Sequence, residues 1–392
     1  MLPNTKTTTN YPRILIISED PFCLSRGIGV TLRTLFQGWP KDRLFQFFSL
    51  VYSDQPCRDI CDSIVHIDLA RGRRYMLPFL LGMIPVCNSR YSRAWLRRLL
   101  GAWHPQIIYS MSFSKTLLSF AGWVARELSC PHILHITDDT YNPLSNENSR
   151  QILAEAKVRI AISQEMQMEY QNRYGFDFHV LHNGAADELF LPQPNYIPSE
   201  DTLVIRYLGG LDRHMHFNAI EDIAEAVKIF NHSGGSAVFE IYGGEWSKNL
   251  ALSLLSSNEV VYKGYVGRAE GYELLKTSDL LVIPVSFANS TLSKIRLSFP
   301  TKLPEYLASG TLTLVYGPPN VASVRYCIQH KVGLTQTKRS IQDLVKIFTK
   351  LKNEPNSFQE KALNDRNFAK KHLSASIIRE QFHQILKKAL AL

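Results

Sequence analysis

Short apolar runs rich in β-branched residues alternate with longer amphipathic stretches along the whole chain. Such runs predict buried strands, and the amphipathic stretches predict the helices that separate most of them. The predicted strands are 13–18, 45–52, 63–69, 106–112, 132–137, 158–163 and 179–181, then 203–208, 237–242, 259–266, 280–285 and 312–316; the predicted helices include 30–39, 218–231, 270–276, 321–330, 341–351, 357–370 and 374–392. This alternation is typical of parallel sheets covered by helices on both faces.

A break in the alternation at residues 191–202, with the sequence LPQPNYIPSEDT, contains three prolines and predicts a linker. It divides the chain into a first domain at 1–190 and a second at 203–372, and residues 373–392 form a last helix expected to pack back on the first domain. The predicted fold class is therefore α/β, with two doubly wound parallel-sheet domains facing a cleft. Ligands are expected between them, at the carboxyl ends of the strands.

The stretch Ser293–Gly310, SKIRLSFPTKLPEYLASG, predicts a loop followed by a two-turn helix. Thr301 is placed to cap the helix, and the backbone N–H groups of Lys302 and Leu303, the lysine charge and the positive helix end meet at one point. Such a point holds a phosphate group, and Glu305 one turn later is placed to accept hydrogen bonds from sugar hydroxyls. The alternative is an ordinary strand–helix–strand unit with a solvated lysine.

Two adjacent carboxylates, Asp138 and Asp139, follow the predicted strand in HILHITDDT. At the end of a strand that faces the cleft, one of them is expected to orient or deprotonate an acceptor hydroxyl group. The sequence does not choose between them, and a cap for the next helix is the alternative. A true base at this position would favour inversion of configuration at the transferred sugar.

Composition narrows the class of protein. The chain has 392 residues, of which 45% are hydrophobic and 20% charged, as in a globular protein with two cores. The polar start predicts no signal peptide, and the longest uncharged apolar stretch, Tyr75–Cys87, is too short for a membrane-spanning helix. The six scattered cysteines predict reduced thiols in a cytoplasmic protein. Neither these cysteines nor the histidines show the spacing of a metal site, so none is predicted.

The net charge of +9 is unevenly distributed, because no acidic residue lies between Asp68 and Glu127. Within this interval, the arginines of Arg71–Trp103 flank apolar and aromatic residues. Such a pattern favours an anionic membrane surface as a partner. The alternative is a core helix with a solvated basic rim. Nucleic acid is not expected, since stacking aromatics interleaved on a basic sheet are missing.

Several motifs occur in the order found in a known family. They are RGIGV at 26–30, AIS at 161–163, YG at 174–175, LHNGA at 181–185, YLGGL at 207–211, VVYKGYVGRAEGYELLKTSDLLVIPVS at 260–286 and PTKLPEYLASGTLTL at 300–314. Together they span most of the chain, which resembles the retaining glycosyltransferases of family 4 (group 1). The resemblance implies the GT-B fold, in which two Rossmann-like domains face a cleft.

The resemblance also implies roles for individual residues. Glu305 would bind the ribose of a nucleotide-sugar donor, Thr301, Lys302 and Leu303 its diphosphate, and the loop at Tyr265, Val266 and Gly267 its base. The donor-binding set also includes Gly209, Gly210 and Arg296, while Gly27, Ile28 and Gly29 would approach the donor phosphate or the acceptor.

Two positions depart from the family pattern. Leu297 stands where the family usually has a second glutamate that contacts the transferred sugar, and Gly210 stands where it has an arginine. Departure of a nucleoside diphosphate leaves negative charge that must be stabilised. Arg213, helped by Arg296 or Lys294, is therefore the predicted catalytic cation.

The sequence thus predicts a cytoplasmic, metal-independent glycosyltransferase of the hexosyltransferase type that retains configuration and needs no cofactor besides its nucleotide-sugar substrate. Its expected acceptor is a saccharide or a lipid-linked or surface-polysaccharide precursor, which places the protein at the inner face of the plasma membrane. Two alternatives stay open. One is a catalytically silent subunit that binds a sugar nucleotide or saccharide, and the other is a GT-B fold sugar-nucleotide epimerase.

Overall fold

A seven-stranded parallel sheet forms the first domain of the chain, in a computed structural model that describes residues 11–49, 56–67, 90–139, 147–191, 202–212, 215–253 and 259–391. The elements are β1 (Ile14–Ser18), α1 (Gly27–Phe36), β2 (Leu44–Phe48), β3 (Ser63–His66), α2 (Arg90–Leu100), β4 (Ile107–Met111), α3 (Lys115–Glu127), β5 (His132–Ile136), α4 (Glu147–Glu155), β6 (Val158–Ala161), α5 (Gln164–Tyr174) and β7 (His179–Val180). The strand order β3-β2-β1-β4-β5-β6-β7 reverses direction between β1 and β4. The crevice outside the carboxyl ends of these two strands is where such sheets bind ligands.

A six-stranded parallel sheet forms the second domain, in the order β10-β9-β8-β11-β12-β13. Its elements are β8 (Leu203–Leu208), α6 (Phe217–His232), β9 (Ala237–Tyr242), α7 (Glu245–Leu252), β10 (Val260–Gly264), α8 (Arg268–Lys276), β11 (Leu280–Pro284), α9 (Asn289–Ile295), α10 (Lys302–Ser309), β12 (Thr313–Tyr316), α11 (Ala322–His330), β13 (Leu334–Gln336), α12 (Ile341–Asn353) and α13 (Pro355–His372), followed by α14 (Ala375–Ala391). Here the order reverses between β8 and β11. The predicted fold class, two parallel-sheet α/β domains, is confirmed.

Burial on both faces explains why the strands are almost continuously apolar. In β1, Ile14 and Ile16 belong to one buried cluster, whereas Leu15 and Ile17 belong to another on the opposite face. Successive side chains of a strand point to opposite faces, so a strand covered on both sides has few positions left for polar residues.

The last helix, α14, packs on the first domain. Its side chains Ile378 and Phe382 share a buried cluster with Phe36 of α1 and Tyr109 of β4. The chain returns at Ser374, which pairs with Ala185 in an isolated parallel bridge. Of the predicted linker, the structure describes only residues 191 and 202.

Side chains of both domains share one apolar cluster, which includes Tyr170 and Met166 of α5 together with Leu297 and Phe299 from the loop between α9 and α10. Residues 296–299 of this loop are hereafter called the bridging segment. The Oγ of Ser163 donates to the carbonyl of Leu297 at 2.7 Å. The loop that precedes α10 is therefore packed on the first domain.

The helix α1 begins earlier than the sequence predicted. Gly27–Gly29 form its first turn rather than a loop, and no acidic residue lies in that turn. A Cβ atom on Gly29 would lie 2.6 Å from the carbonyl oxygen of Pro21, so only glycine permits this approach. The sequence also missed the short helices α7 and α9.

The basic segment is described only from residue 90 onward, and residues 71–89 lie outside the described residues. In α2, Leu96 and Leu100 are buried in the core, and the ring of Trp95 lies 6.2 Å from that of Phe47. The exposed positions of the helix include Arg97 and Arg98. The described part thus presents charge, not an apolar face, to its surroundings. Within the described residues, no helix combines the length and apolar character that crossing a membrane requires.

Candidate active site

The first turn of α10 lies at the carboxyl edge of the second sheet, where the strand order reverses. It is held there by Tyr306, whose hydroxyl accepts a hydrogen bond from the backbone N–H of Leu208 at 2.7 Å and donates to the carbonyl of the same residue at 3.1 Å. Because Leu208 ends β8, this contact places Lys302 and Glu305 beside the turn that follows the strand.

Lys302 runs directly against that turn. A Cβ atom on Gly209 would lie 1.7 Å from Cε and 2.6 Å from Nζ of Lys302, and Gly209 has a φ of +147°. The ammonium lies 5.3 Å from the ring centroid of Tyr207. Burial lowers the pKa of Lys302 to about 8. A half-buried cation of this kind is stabilised by an anion bound next to it, and the lack of a side chain at Gly209 gives the lysine its place against the turn.

The N-terminus of α10 differs in detail from the prediction. The side chain of Thr301 makes no capping hydrogen bond, so the expected cap is wrong and the hydroxyl is not used by the helix end. The backbone N–H of Leu303 donates to the carbonyl of Pro300 at 3.2 Å. The proposed anion contacts of this turn therefore depend more on Lys302 and on the helix dipole than on the N–H of Leu303.

Glu305 faces a second helix start, that of α8. Arg268, the first residue of α8, places its Nη2 4.0 Å from Oε1 of Glu305, and its Nε donates to Oη of Tyr272 at 2.5 Å. Burial raises the pKa of Glu305, whereas the charges of Arg268 and Lys302 oppose that rise. The sequence analysis missed Arg268 and Tyr272, although their spacing of four residues on a helix would have placed them on one face.

The predicted base-binding loop leads directly into Arg268. Gly264 ends β10 with a φ of +80°, Gly267 is the N-cap residue of α8, and Tyr265 between them is 61% exposed. The exposed loop backbone and the Glu305 carboxylate thus belong to one edge of the second domain.

The structure separates the two adjacent carboxylates. Asp139 is buried, accepts a hydrogen bond from Tyr170 Oη at 2.6 Å and lies 3.8 Å from Nη1 of Arg173. Burial raises its pKa. These contacts tie Asp139 to α5, where it supports the packing of that helix against β5.

Asp138 points across the domain boundary instead. Its Oδ1 accepts a hydrogen bond from Oγ of Ser298, in the bridging segment, at 2.5 Å. Burial, with a smaller contribution from the neighbouring charge of Asp139, raises the pKa of Asp138 to about 6. A half-buried carboxylate with such a pKa changes protonation close to neutral pH, as an acid–base catalyst requires.

The predicted cations are placed differently. The guanidinium of Arg296 pairs with Glu169 of the first domain at 2.8 and 3.2 Å, and Lys294 is exposed. Arg213 lies outside the described residues. Leu297 is 2% exposed, so it cannot replace the polar side chain expected at that position. Among the residues described here, Lys302 and Arg268 are the cations placed next to Glu305.

Helix α1 reaches the second domain through one asparagine. The Oγ1 of Thr31 donates to Oδ1 of Asn183 at 2.7 Å, and Nδ2 of Asn183 donates to the carbonyl of Phe299 at 2.7 Å. The predicted loop at Gly27–Gly29 is therefore linked to the bridging segment, and through it to the start of α10. Asn183 belongs to the Asn-Gly turn of the LHNGA motif.

Glu19 was also missed by the sequence analysis. It follows β1 at the reversal point of the first sheet, is 2% exposed, and accepts hydrogen bonds from the backbone N–H groups of Phe113 and Ser114 at 3.1 and 2.9 Å. Burial raises its pKa to about 7. A single acid after a strand gives no pattern that would have marked it. Its bonds to the start of α3 indicate a buried cap.

Comparisons with known proteins support the fold and the family resemblance. Residues 196–372 match the family model described as glycosyl transferases group 1, which confirms the resemblance at the level of that group. A sequence search of the curated proteins found no match.

Solved structures show the fold. The chain is similar to Anabaena HepE in complex with UDP and glucose, with 15% identity over 96% of this chain and 99% of that chain and a TM-score of 0.66. It is similar to the sucrose-phosphate synthase from Thermosynechococcus elongatus, with 14% identity over 96% and 99% and a TM-score of 0.68. It is also similar to the lipopolysaccharide outer core galactosyltransferase WaaB in its apo form, with 14% identity over 95% and 98% and a TM-score of 0.60. The predicted GT-B architecture is confirmed.

Proposed function

We propose that the protein is a glycosyltransferase that moves a sugar from a nucleotide-sugar donor to a hydroxyl group of an acceptor. The observation that carries this proposal is that Lys302 and Glu305 lie beside the glycine turn at Gly209, at the point where the strand order of the second sheet reverses. The group 1 match covers this half of the chain, and HepE, which has the same fold, was solved with UDP and glucose.

The donor nucleotide is assigned to the second domain. The Lys302 ammonium and the positive end of α10 bind the diphosphate next to Gly209 and Gly210. Glu305 accepts hydrogen bonds from the ribose, and the backbone of 265–267 contacts the base. These assignments keep the predicted donor-binding residues together, with the exception of Arg296.

The chemistry requires positive charge where the nucleoside diphosphate leaves. Lys302 supplies it from a half-buried position, where an ammonium interacts more strongly with a developing anion than it would in water. With a lysine and a helix terminus in that role, the reaction is proposed to be metal-independent. The resemblance of the motifs in both domains to retaining enzymes supports retention of configuration, whereas Asp138 acting as a true base would support inversion, and the configuration of the product decides between them.

Asp138 is assigned to the acceptor. It lies at the carboxyl end of β5, faces the second domain, and has a pKa near 6 that leaves it mainly ionised at neutral pH. It can therefore orient an acceptor hydroxyl group and accept its proton. Asp139 keeps a supporting role through Tyr170.

The acceptor is proposed to be a saccharide, free or linked to lipid, reached at an anionic membrane surface. The support is electrostatic, because Arg97 and Arg98 are exposed while the apolar face of α2 packs inward. Attraction of the protein to such a surface would concentrate it near lipid-linked acceptors.

A thermal-shift panel of UDP, GDP, ADP and CDP tests the nucleotide site. A ligand that binds only the folded state at about 100 times its Kd stabilises that state by about 2.7 kcal/mol, so one of the four should raise the Tm. Glu305→Ala should remove most of this shift. Glu273→Ala is the matched control, because Glu273 is a 70% exposed acid on α8. A wild-type protein that responds to none of the four, or a Glu305→Ala variant with the full response, would contradict the proposal.

A further inference from the structure

The carboxylate of Glu305 is one end of a chain of polar groups that begins on α8. We propose that Arg268 and Tyr272 are positioning residues, which hold the Glu305 carboxylate in the orientation that accepts hydrogen bonds from the ribose hydroxyls of the donor nucleotide. This inference rests on the proposed function and deepens it, since it names the residues that determine selection for ribose.

The geometry of α8 brings the two residues together. Arg268 and Tyr272 are one helical turn apart, and Nε of Arg268 donates to Oη of Tyr272 at 2.5 Å. The guanidinium carbon lies 5.3 Å from the ring centroid of the same tyrosine. Since a guanidinium is planar and its donors have fixed directions, a ring that it both contacts and hydrogen-bonds is held in one rotamer.

The direction of the hydrogen bonds is fixed by their chemistry. A guanidinium only donates, so the Tyr272 oxygen is the acceptor in its bond with Arg268. Arg268 therefore contacts both partners, since it donates to Tyr272 and its Nη2 lies 4.0 Å from Oε1 of Glu305. The tyrosine fixes the guanidinium, and the guanidinium orients the carboxylate.

The charges around Glu305 favour the same hydrogen-bond-accepting role as the geometry does. Burial raises the pKa of Glu305, and the charge of Arg268 opposes this rise first, followed by that of Lys302. These are the groups of α8 and α10 that face the carboxylate, while Glu188, from the short 3-10 helix Asp187–Phe190, acts on Tyr272. An ionised carboxylate accepts hydrogen bonds more strongly than a neutral acid, and the two cations favour this ionised form of Glu305 against the effect of burial.

Binding of ribonucleotides and deoxyribonucleotides tests the inference. Calorimetry would compare UDP, GDP, ADP and CDP, each with its 2′-deoxy counterpart, on the wild type and on the variants Tyr272→Phe, Arg268→Gln, Arg268→Lys and Glu305→Ala. The wild type should prefer the ribonucleotide, and this preference should fall roughly tenfold in Tyr272→Phe and in Arg268→Gln. Arg268→Lys keeps the positive charge but lacks the planar guanidinium, so it should retain part of the preference for the ribonucleotide. Lys276→Gln, which removes a cation at the other end of α8, should leave this preference unchanged.

A pH series provides a second readout. Ribonucleotide binding should weaken on acidification as Glu305 is protonated. Loss of the Arg268 cation raises the pKa of the carboxylate, so in Arg268→Gln the midpoint of this decline should move to higher pH. Tm values of the unliganded variants would show that each variant is folded.

The possible failures are distinguishable. If the wild type binds none of these nucleotides, the nucleotide site of the proposed function is wrong. If it binds one of them without preferring the ribonucleotide, the inference is overturned. If Glu305→Ala abolishes the ribose preference while Tyr272→Phe and Arg268→Gln keep it, only the positioning inference is overturned. Equal weakening of both nucleotides in Arg268→Gln, with the preference intact, would mean that Arg268 contacts the phosphates directly, which also overturns it.

Discussion

Replacement of Gly209 by alanine is expected to disable the phosphate site without removing any side chain that binds the ligand. The new Cβ atom would lie 1.7 Å from Cε of Lys302, which is close to a covalent distance. The lysine must therefore leave its place over Tyr207. The substitution thus moves a charge by means of a methyl group.

Two magnitudes follow from this geometry. A side chain forced into the backbone conformation of Gly209, with φ of +147°, costs of order 1–3 kcal/mol of folding stability. Loss of one charge-assisted hydrogen bond costs about 1.5–3 kcal/mol of binding. Affinity for the nucleoside diphosphate should therefore fall about 10- to 100-fold.

The assay is isothermal calorimetry with the diphosphate that stabilises the wild type, together with a Tm measurement. Gly234→Ala is the matched control, since Gly234 has a φ of +88° and no atom within 4 Å of an added Cβ. It should lose stability and keep its affinity. In the double variant Gly209→Ala with Lys302→Ala the clash is relieved, so its affinity should equal that of Lys302→Ala alone.

Two results would refute this reasoning. If Gly209→Ala binds the diphosphate as the wild type does while Lys302→Ala does not, the lysine acts from some other position. If the two substitutions weaken binding additively, the methyl group and the lysine do not interact.

Two further predictions concern the acceptor side. Asp138→Asn should lower kcat/KM by about 10²- to 10⁴-fold and abolish the rise of wild-type activity with pH around 6, because a base with this pKa is active only above it. If the activity of Asp138→Asn still falls at low pH as that of the wild type does, Asp138 is not the base. Asp139→Asn should instead lower the Tm, since it weakens the hydrogen bond from Tyr170. Arg97→Ala with Arg98→Ala should reduce flotation with anionic vesicles roughly 30-fold, at about 1 kcal/mol for each cation, and equal wild-type binding to neutral vesicles would contradict the electrostatic attraction.

Much of the fold could be predicted because parallel strands buried on both faces have a strong apolar signal. The sequence predicted β1 and the strand of the phosphate motif, β12, within a residue or so of their bounds. It misplaced the start of α1 because Gly27–Gly29 has the composition of a loop. That turn is helical because the loop at Pro21 packs closely against Gly29, a contact that no local pattern shows.

The candidate site was predicted where its residues are neighbours in sequence and missed where they are not. Lys302 and Glu305 share one helical turn, so spacing alone places them together. Arg268 reaches Glu305 only because two helix starts converge at one sheet edge. Asp138 and Asp139 could not be separated from the sequence, since adjacent residues after a strand face opposite ways and the docking of the two domains decides which one meets Ser298.

The central claim is that the chain transfers a sugar from a nucleotide. The most direct measurement is the fate of a radiolabelled sugar nucleotide, whose base is the one that stabilises the protein, incubated with the protein and a saccharide acceptor. The account predicts formation of the nucleoside diphosphate with transfer of the label to the acceptor or to water, and loss of both in Lys302→Ala. Recovery of the bound sugar nucleotide intact would make the protein a binding subunit, and recovery as an epimer would make it an epimerase; either result would contradict the account.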